Sequence, residues 1–104
     1  MVIYEVNLEV KEAIFNEYFA WLKPHIKELL TLEGFIKADL LFDNEQASEG
    51  VRKIVVTYYL KDYAAYHHYI NTHALKMRED AIKRFAGQSS AHRRVLELEG
   101  SYSL

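Results

Sequence analysis

Cysteine is absent from this chain of 104 residues, proline occurs once and glycine four times. Without thiols there is no disulfide framework, no thiolate zinc site and no cysteine nucleophile. The glycines stand singly at positions 34, 50, 87 and 100, so no phosphate-cradling loop or dinucleotide fingerprint can be written. A G-x-S-x-G elbow is missing too, which sets aside serine hydrolases built on it. No run approaches the roughly 18 apolar residues of a membrane span. With 13 Lys+Arg against 15 Asp+Glu the net charge is −2, which gives no basic excess to attract nucleic acid or an anionic membrane. Neither is expected as a partner.

Half of the residues are apolar or aromatic, enough for one core in one domain over residues 1–104, with roughly two-thirds of the unfolded surface buried. The opening MVIYEVNLEV alternates apolar and polar residues and includes acidic ones. It therefore reads as a strand and not as the continuous apolar stretch of a signal peptide, and a soluble cytoplasmic protein is expected.

Residues 2–10 carry the period of two of a strand. Phe15, Tyr18, Phe19, Leu22, Ile26 and Leu29 then recur at helical spacing, predicting a helix over about 12–32, closed by Gly34 and kinked at Pro24. Lys11 stands where a capping Asp or Ser would help. Residues 35–42 and 51–60 are strands joined through the turn-rich DNEQASEG. Asp62 caps a second helix with the stripe Tyr63, Tyr66, Ile70, Ala74, Met77, Ala81 and Phe85, ended by Gly87, and residues 90–98 form a last strand.

The order is βαββαβ, an α+β ferredoxin-like arrangement with two helices on one face of a four-stranded antiparallel sheet. The first and third strands are expected to be central, because IVVTYYL is apolar on both faces. Helices cover Ile54, Val56, Tyr58 and Leu60, which leaves Val55 and Tyr59, with Ile3, Leu41 and Val95, on the other side. Each large apolar side chain left wet forfeits roughly 1.5–3 kcal/mol. A homodimer joined through the sheet face is expected, with Glu5, Asn7, Glu9, Lys37, Asp39, Lys53 and Arg93 paired among themselves or placed at its rim.

The stretches YEVNLEV, the GF after the first helix, YINTHALKMRED and RRVLEL resemble an uncharacterised family of small bacterial proteins within the dimeric α+β barrel superfamily. The similarity spans almost the whole chain. That superfamily includes cofactor-free antibiotic-biosynthesis-type monooxygenases and small-molecule isomerases. Relatives often open the first helix with Asp-Pro, where this chain has Lys11-Glu12; the difference touches capping and not chemistry. In the monooxygenase relatives a second-helix His and aromatic residues line a pocket, and His73 is similar in position to that His.

DYAAYHHYINTHALKMRED, residues 62–80, crowds three tyrosines and three histidines into one helix. A chelating helix needs ligands at i and i+4, whereas His67 or His68 to His73 spans six or five residues. No metal site follows. At roughly 100° per residue His68 points to solvent, while His67 and His73 flank the apolar stripe. Facing edges of the two helices then predict a cleft lined by Tyr4, Trp21, His25, Tyr58, Tyr66 and His73, suited to a small aromatic or polyketide-like molecule. In an enzyme version His73 is the general base of a cofactor-free oxygenation or isomerisation. The competing reading is plain packing, with phenol hydroxyls and imidazoles satisfying one another. No cofactor is expected.

His92, Arg93 and Arg94 are the only basic triplet. In a strand His92 and Arg94 share one face and Arg93 takes the other. Arg94 is read as a salt-bridge partner for an acidic neighbour, with a phosphate or carboxylate site as its alternative.

Overall fold

A computed structural model describes residues 1–45 and 48–104. Strand β1 (Val2–Lys11) leads through a 3-10 turn (Glu12–Ile14) into α1 (Phe15–Leu29). Strands β2 (Phe35–Phe42) and β3 (Val51–Leu60) follow, then α2 (Tyr63–Thr72), α3 (Ala74–Phe85) and β4 (Ser89–Glu97). The four strands form one antiparallel sheet in the order β2-β3-β1-β4, so β1 and β3 are central, as their apolar content requires. This is the ferredoxin-like α+β arrangement, with its second helix in two pieces. Of the turn DNEQASEG, Gln46 and Ala47 lie outside the described residues.

The helix-covered face of the sheet is the core. Val2, Tyr4, Val6 and Leu8 on β1 oppose Leu60, Tyr58, Val56 and Ile54 on β3, and all eight are buried. Across from them, Tyr18, Leu22, Ile26 and Leu29 give α1 its inward stripe at the i, i+4, i+7 spacing of an amphipathic helix. The helix begins at Phe15 and not near Glu12, because Lys11 supplies no side-chain cap and the first turn winds more tightly. It runs through Pro24 without a break.

Asp62 caps α2 as its residue type demands, its carboxylate accepting from the Ala65 backbone N–H at 2.8 Å. At the entry to β2, Gly34 adopts φ +88°, and a Cβ there would collide with the Cβ of Ala65. Glycine is therefore what allows α2 to sit against the chain entering β2.

Two sequence expectations are corrected. The predicted single helix after Asp62 is interrupted at His73, whose φ of −119° and ψ of −29° separate α2 from α3. The run Asn71-Thr72-His73 consists of weak helix formers. Backbone bonds from His73 N to Tyr69 O and from Met77 N to His73 O, at 2.8 and 3.0 Å, keep the joint a bend and not a loop.

The second correction concerns β4. Val95 pairs with Tyr4 and Arg93 with Val6, which puts both on the helix-covered face. His92 and Arg94 oppose Asn7 and Glu5 on the open face. Both faces of β4 carry a lone aliphatic group, Val95 or Leu96, so alternation alone does not choose between them, and a shift of one residue reverses every side chain. Burial of Val95 against the core decides the matter.

The open face carries Ile3, Val55 and Tyr59, half-buried, together with the exposed Leu41 and Leu96. Its charges pair within the sheet. Arg94 grips Glu5 through two hydrogen bonds of 2.8 and 3.1 Å, Lys53 lies 3.2 Å from Glu9, and the Tyr59 hydroxyl donates to Asp39 at 3.0 Å. The Arg94 guanidinium holds the Glu5 carboxyl below its usual range, helped by Asn7.

Candidate functional site

Between α1 and α3, above the sheet, lies a cavity of about 300 Å³, at the small end of the range for small-molecule sites. Tyr4, Val6 and Tyr58 form part of its floor, Trp21 and His25 stand on the α1 wall, and Ala81 and Phe85 on the α3 wall. The amphipathic stripes of the two helices turn aromatic groups inward, and small residues such as Ala81 leave space between them.

Trp21 ties the two walls together. Its indole N–H donates to the Asp80 carboxylate at 2.7 Å, and Asp80 in turn accepts from Arg84 Nε at 3.3 Å. The indole bond, followed by Arg84, holds the Asp80 carboxyl below its ordinary range. The imidazole of His25 lies against the same indole, with centroids 4.5 Å apart and planes 23° from parallel. Burial pushes His25 below the usual imidazole range, against the opposing pull of Glu28 and Asp80. Near pH 7 this ring is neutral.

Burial acts on several nearby phenols in the opposite direction, because it disfavours their charged form. Burial raises Tyr58 and Tyr69 well above the ordinary tyrosine value, and Tyr18 and Tyr66 move the same way. Tyr4 stacks with Tyr58 at 5.9 Å and meets Tyr69 at 5.7 Å, so the floor is a continuous aromatic surface.

Of the six residues assigned to the cleft from sequence, Tyr4, Trp21, His25 and Tyr58 line the cavity together. Tyr66 packs against the core with its ring 5.7 Å from that of Tyr4, but it is not among the lining residues. His73 is not among them either. It occupies the bend between α2 and α3, and its ring meets the edge of exposed His68 at 5.7 Å. The sequence assignment of His73 to the cleft treated α2 and α3 as one helix, whereas His73 stands at the joint between them.

Lining residues that were not foreseen include Tyr18, Tyr69, Arg78 and Arg93. Tyr18 belongs to the apolar stripe of α1 and was legible as core, whereas Tyr69 lies outside the stripe assigned to the second helix and is nonetheless buried on α2. Arg78 sits four residues after buried Ala74 on the inward edge of α3, a spacing that signals its direction. Arg93 becomes visible once Val95 is turned inward, since the two alternate on one face of β4.

Both arginines carry a buried Nε–H with no hydrogen-bond partner. Arg78 uses Nη2 to donate to the Tyr4 hydroxyl at 2.9 Å. Among the described residues neither arginine forms an ion pair. A buried donor left unmade costs about 1–3 kcal/mol, more on a charged group, so the cavity concentrates unused donor capacity in an aromatic setting. Among the described residues no group of three or more His, Asp or Glu side chains is placed to hold a metal.

Comparison with known proteins agrees with this architecture. The family model described as a domain of unknown function (DUF4286) matches residues 1–99. None of the curated proteins matches the chain. Among solved structures, a Deinococcus radiodurans protein assigned to the antibiotic-biosynthesis monooxygenases is similar with a TM-score of 0.68 at 16% identity, over 100% of this chain and 98% of the other. A variant of SnoaB, a cofactor-independent oxygenase from Streptomyces nogalater, gives 0.66 at 11% identity, covering 96% and 95%. The heme-degrader MhuD of Mycobacterium tuberculosis, with two hemes in its active site, gives 0.69 at 15% identity, covering 99% and 100%. At these identities the likeness is one of fold.

Proposed function

Because the chain belongs to the family of a domain of unknown function (DUF4286), whose description names no reaction, we propose a function from geometry: the cleft between α1 and α3 binds a small planar molecule of aromatic or polyketide-like character. The observation that carries this reading is the cavity of about 300 Å³ with aromatic walls and floor, in which Trp21 and His25 lie nearly parallel beside an open volume. Flat aromatic surfaces with a few polar tips recognise flat ligands. The chain has one tryptophan, and it stands on the cavity wall, so intrinsic fluorescence tests the proposal directly. Two-ring aromatic probes are expected to quench Trp21 saturably, and Ala81→Trp, which fills the space between the helices, to abolish ligand-dependent quenching of the remaining signal. Linear, non-saturating quenching equal to that of free tryptophan would count against a site.

A catalytic version has one observation in its favour. His25 is a desolvated, neutral imidazole on the cavity wall, a state suited to accepting a proton from an acidic C–H or O–H of a bound molecule. SnoaB, a fold neighbour, is a cofactor-independent oxygenase, and an oxygenation or isomerisation begun by such a proton transfer is the reaction class proposed. The base in this version is His25 in place of His73. A substrate found by metabolite screening should lose turnover with His25→Gln and keep it with His73→Ala; the reverse result overturns the assignment.

Heme, bound in MhuD, does not fit the cavity as formed. A tetrapyrrole is broader than a space of about 300 Å³, and the ring of His25 is engaged face to face with Trp21 rather than presented edge-on as a metal ligand. No step is therefore assigned to heme.

The homodimer through the open sheet face is part of the same proposal. Ile3, Val55 and Tyr59 lie half-exposed beside Leu41 and Leu96 on a surface whose charges already pair within the protomer. A second copy would cover this surface without stranding an ion, and the helix side would keep its cleft.

A further inference from the structure

Five arginines occur in the chain, and three have carboxylate partners: Arg52 with Glu12, Arg84 with Asp80 and Arg94 with Glu5. Arg78 and Arg93 are the two left, and they are the two that line the cavity. One reaches it from the helix layer and the other from the sheet. Each keeps a buried Nε–H unpartnered. Several of the groups that line the cavity with them are neutral: the Tyr4 hydroxyl accepts from Arg78, burial raises the phenols of Tyr58 and Tyr69, and burial lowers the imidazole of His25. Both positive charges pull on the phenols of Tyr66 and Tyr69, against the stronger upward push of burial. Among the described residues neither cation has an ion-pair partner, and the Asp80 carboxylate at the cavity wall is taken up by Trp21 and Arg84, an arrangement that favours an anion brought from outside.

Resting on the reading of the cleft as a small-molecule site, we propose that its ligand is an aromatic carboxylate, whose ring lies on the tyrosine floor beside Trp21 and whose oxygens pair with the guanidinium groups of Arg78 and Arg93, which line the cavity without an ion-pair partner among the described residues. A guanidinium presents its donors in a plane that matches a carboxylate, and a charge-assisted bond is stronger than a neutral one. The ligand therefore supplies the counter-charge that the two guanidinium groups lack among the described residues. A neutral aromatic molecule of equal size would fill the volume and leave the two positive charges without a counter-charge.

The test is calorimetric titration of the intact chain with two probes of the same ring, 2-naphthoate and 2-naphthamide. The acid is expected to bind at least about tenfold more tightly than the amide, a difference worth about one charge-assisted bond. Arg78→Gln and Arg93→Gln should each bring that preference toward unity by weakening binding of the acid more than binding of the amide. Where a glutamine variant fails to fold, the lysine variant, which keeps the charge but has no Nε–H, should reduce the preference at least about threefold. Equal binding of acid and amide overturns the anion proposal and leaves the aromatic cleft standing. So does a preference that survives both arginine substitutions. Binding of neither probe overturns the anion proposal together with the cleft on which it rests.

Discussion

His25 shows how one side chain ties burial to chemistry. Its imidazole is pushed below the ordinary histidine value by burial, so between about pH 6.5 and that lower value the unfolded chain takes up a proton that the folded chain refuses. Linkage then makes stability fall as pH drops through this window and level off below the folded pKa. Replacing His25 by Gln removes that share of the pH dependence. Urea midpoints at pH 7.5 and pH 5 should differ less in the variant than in the parent, and an unchanged difference would show that His25 is not desolvated. Little of this was legible in the sequence. His25 was placed in the cleft by its spacing from Trp21 on a shared helix edge, but its stacked geometry depends on how the indole is held by Asp80, 59 residues away. Arg78 stands among charged neighbours, and its spacing from Ala74 gives its direction only once α3 is packed over Tyr4, whose hydroxyl it then reaches.

At the level of elements, the strands were legible because alternation is a strong signal. Strand β3 was read at its observed limits, and β1 differs only by Lys11. The helices were harder. The bend at His73 arises from a few residues of weak propensity inside a run whose periodicity stays helical on both sides, and the inward face of β4 is set by its pairing with β1 rather than by its own pattern. Gly34 is the element-scale residue with the sharpest consequence. Substitution by Ala combines a left-handed backbone strained by about 1 kcal/mol with overpacking against Ala65 worth about 1–3 kcal/mol. A loss of about 2–4 kcal/mol by urea denaturation is expected, and adding Ala65→Gly should restore the overpacking share. A loss no larger than that of an exposed Gly50→Ala change, where nothing lies within 4 Å of the added group, would contradict the close approach of α2 to the β2 entry.

For the whole molecule, fold and cavity follow from the same asymmetry. One face of the sheet is covered by helices that meet imperfectly and leave a cleft; the other is bare in the protomer. Five aliphatic or aromatic residues on that bare face, each worth roughly 1.5–3 kcal/mol if fully buried, are the argument for a second copy. Val55 lies near its centre, between Asn7 on β1 and Leu41 on β2. Size-exclusion chromatography with light scattering should give twice the 12.2 kDa protomer mass for the parent, and the protomer mass for Val55→Glu, with the α1–α3 cleft and its probe binding unaffected. A parent that runs as a monomer at micromolar concentration would refute the dimer without touching the site. The two halves of the account therefore stand or fall separately, and the cleft is the half that concerns function.

That half is tested most directly by a proton–nitrogen NMR titration of the labelled chain with 2-naphthoate. The indole N–H of Trp21 and the Nε–H groups of Arg78 and Arg93 should shift together along one saturating curve. Shifts confined to the open sheet face, or none at all at millimolar probe, would contradict the assignment of the cleft between α1 and α3 as the functional site.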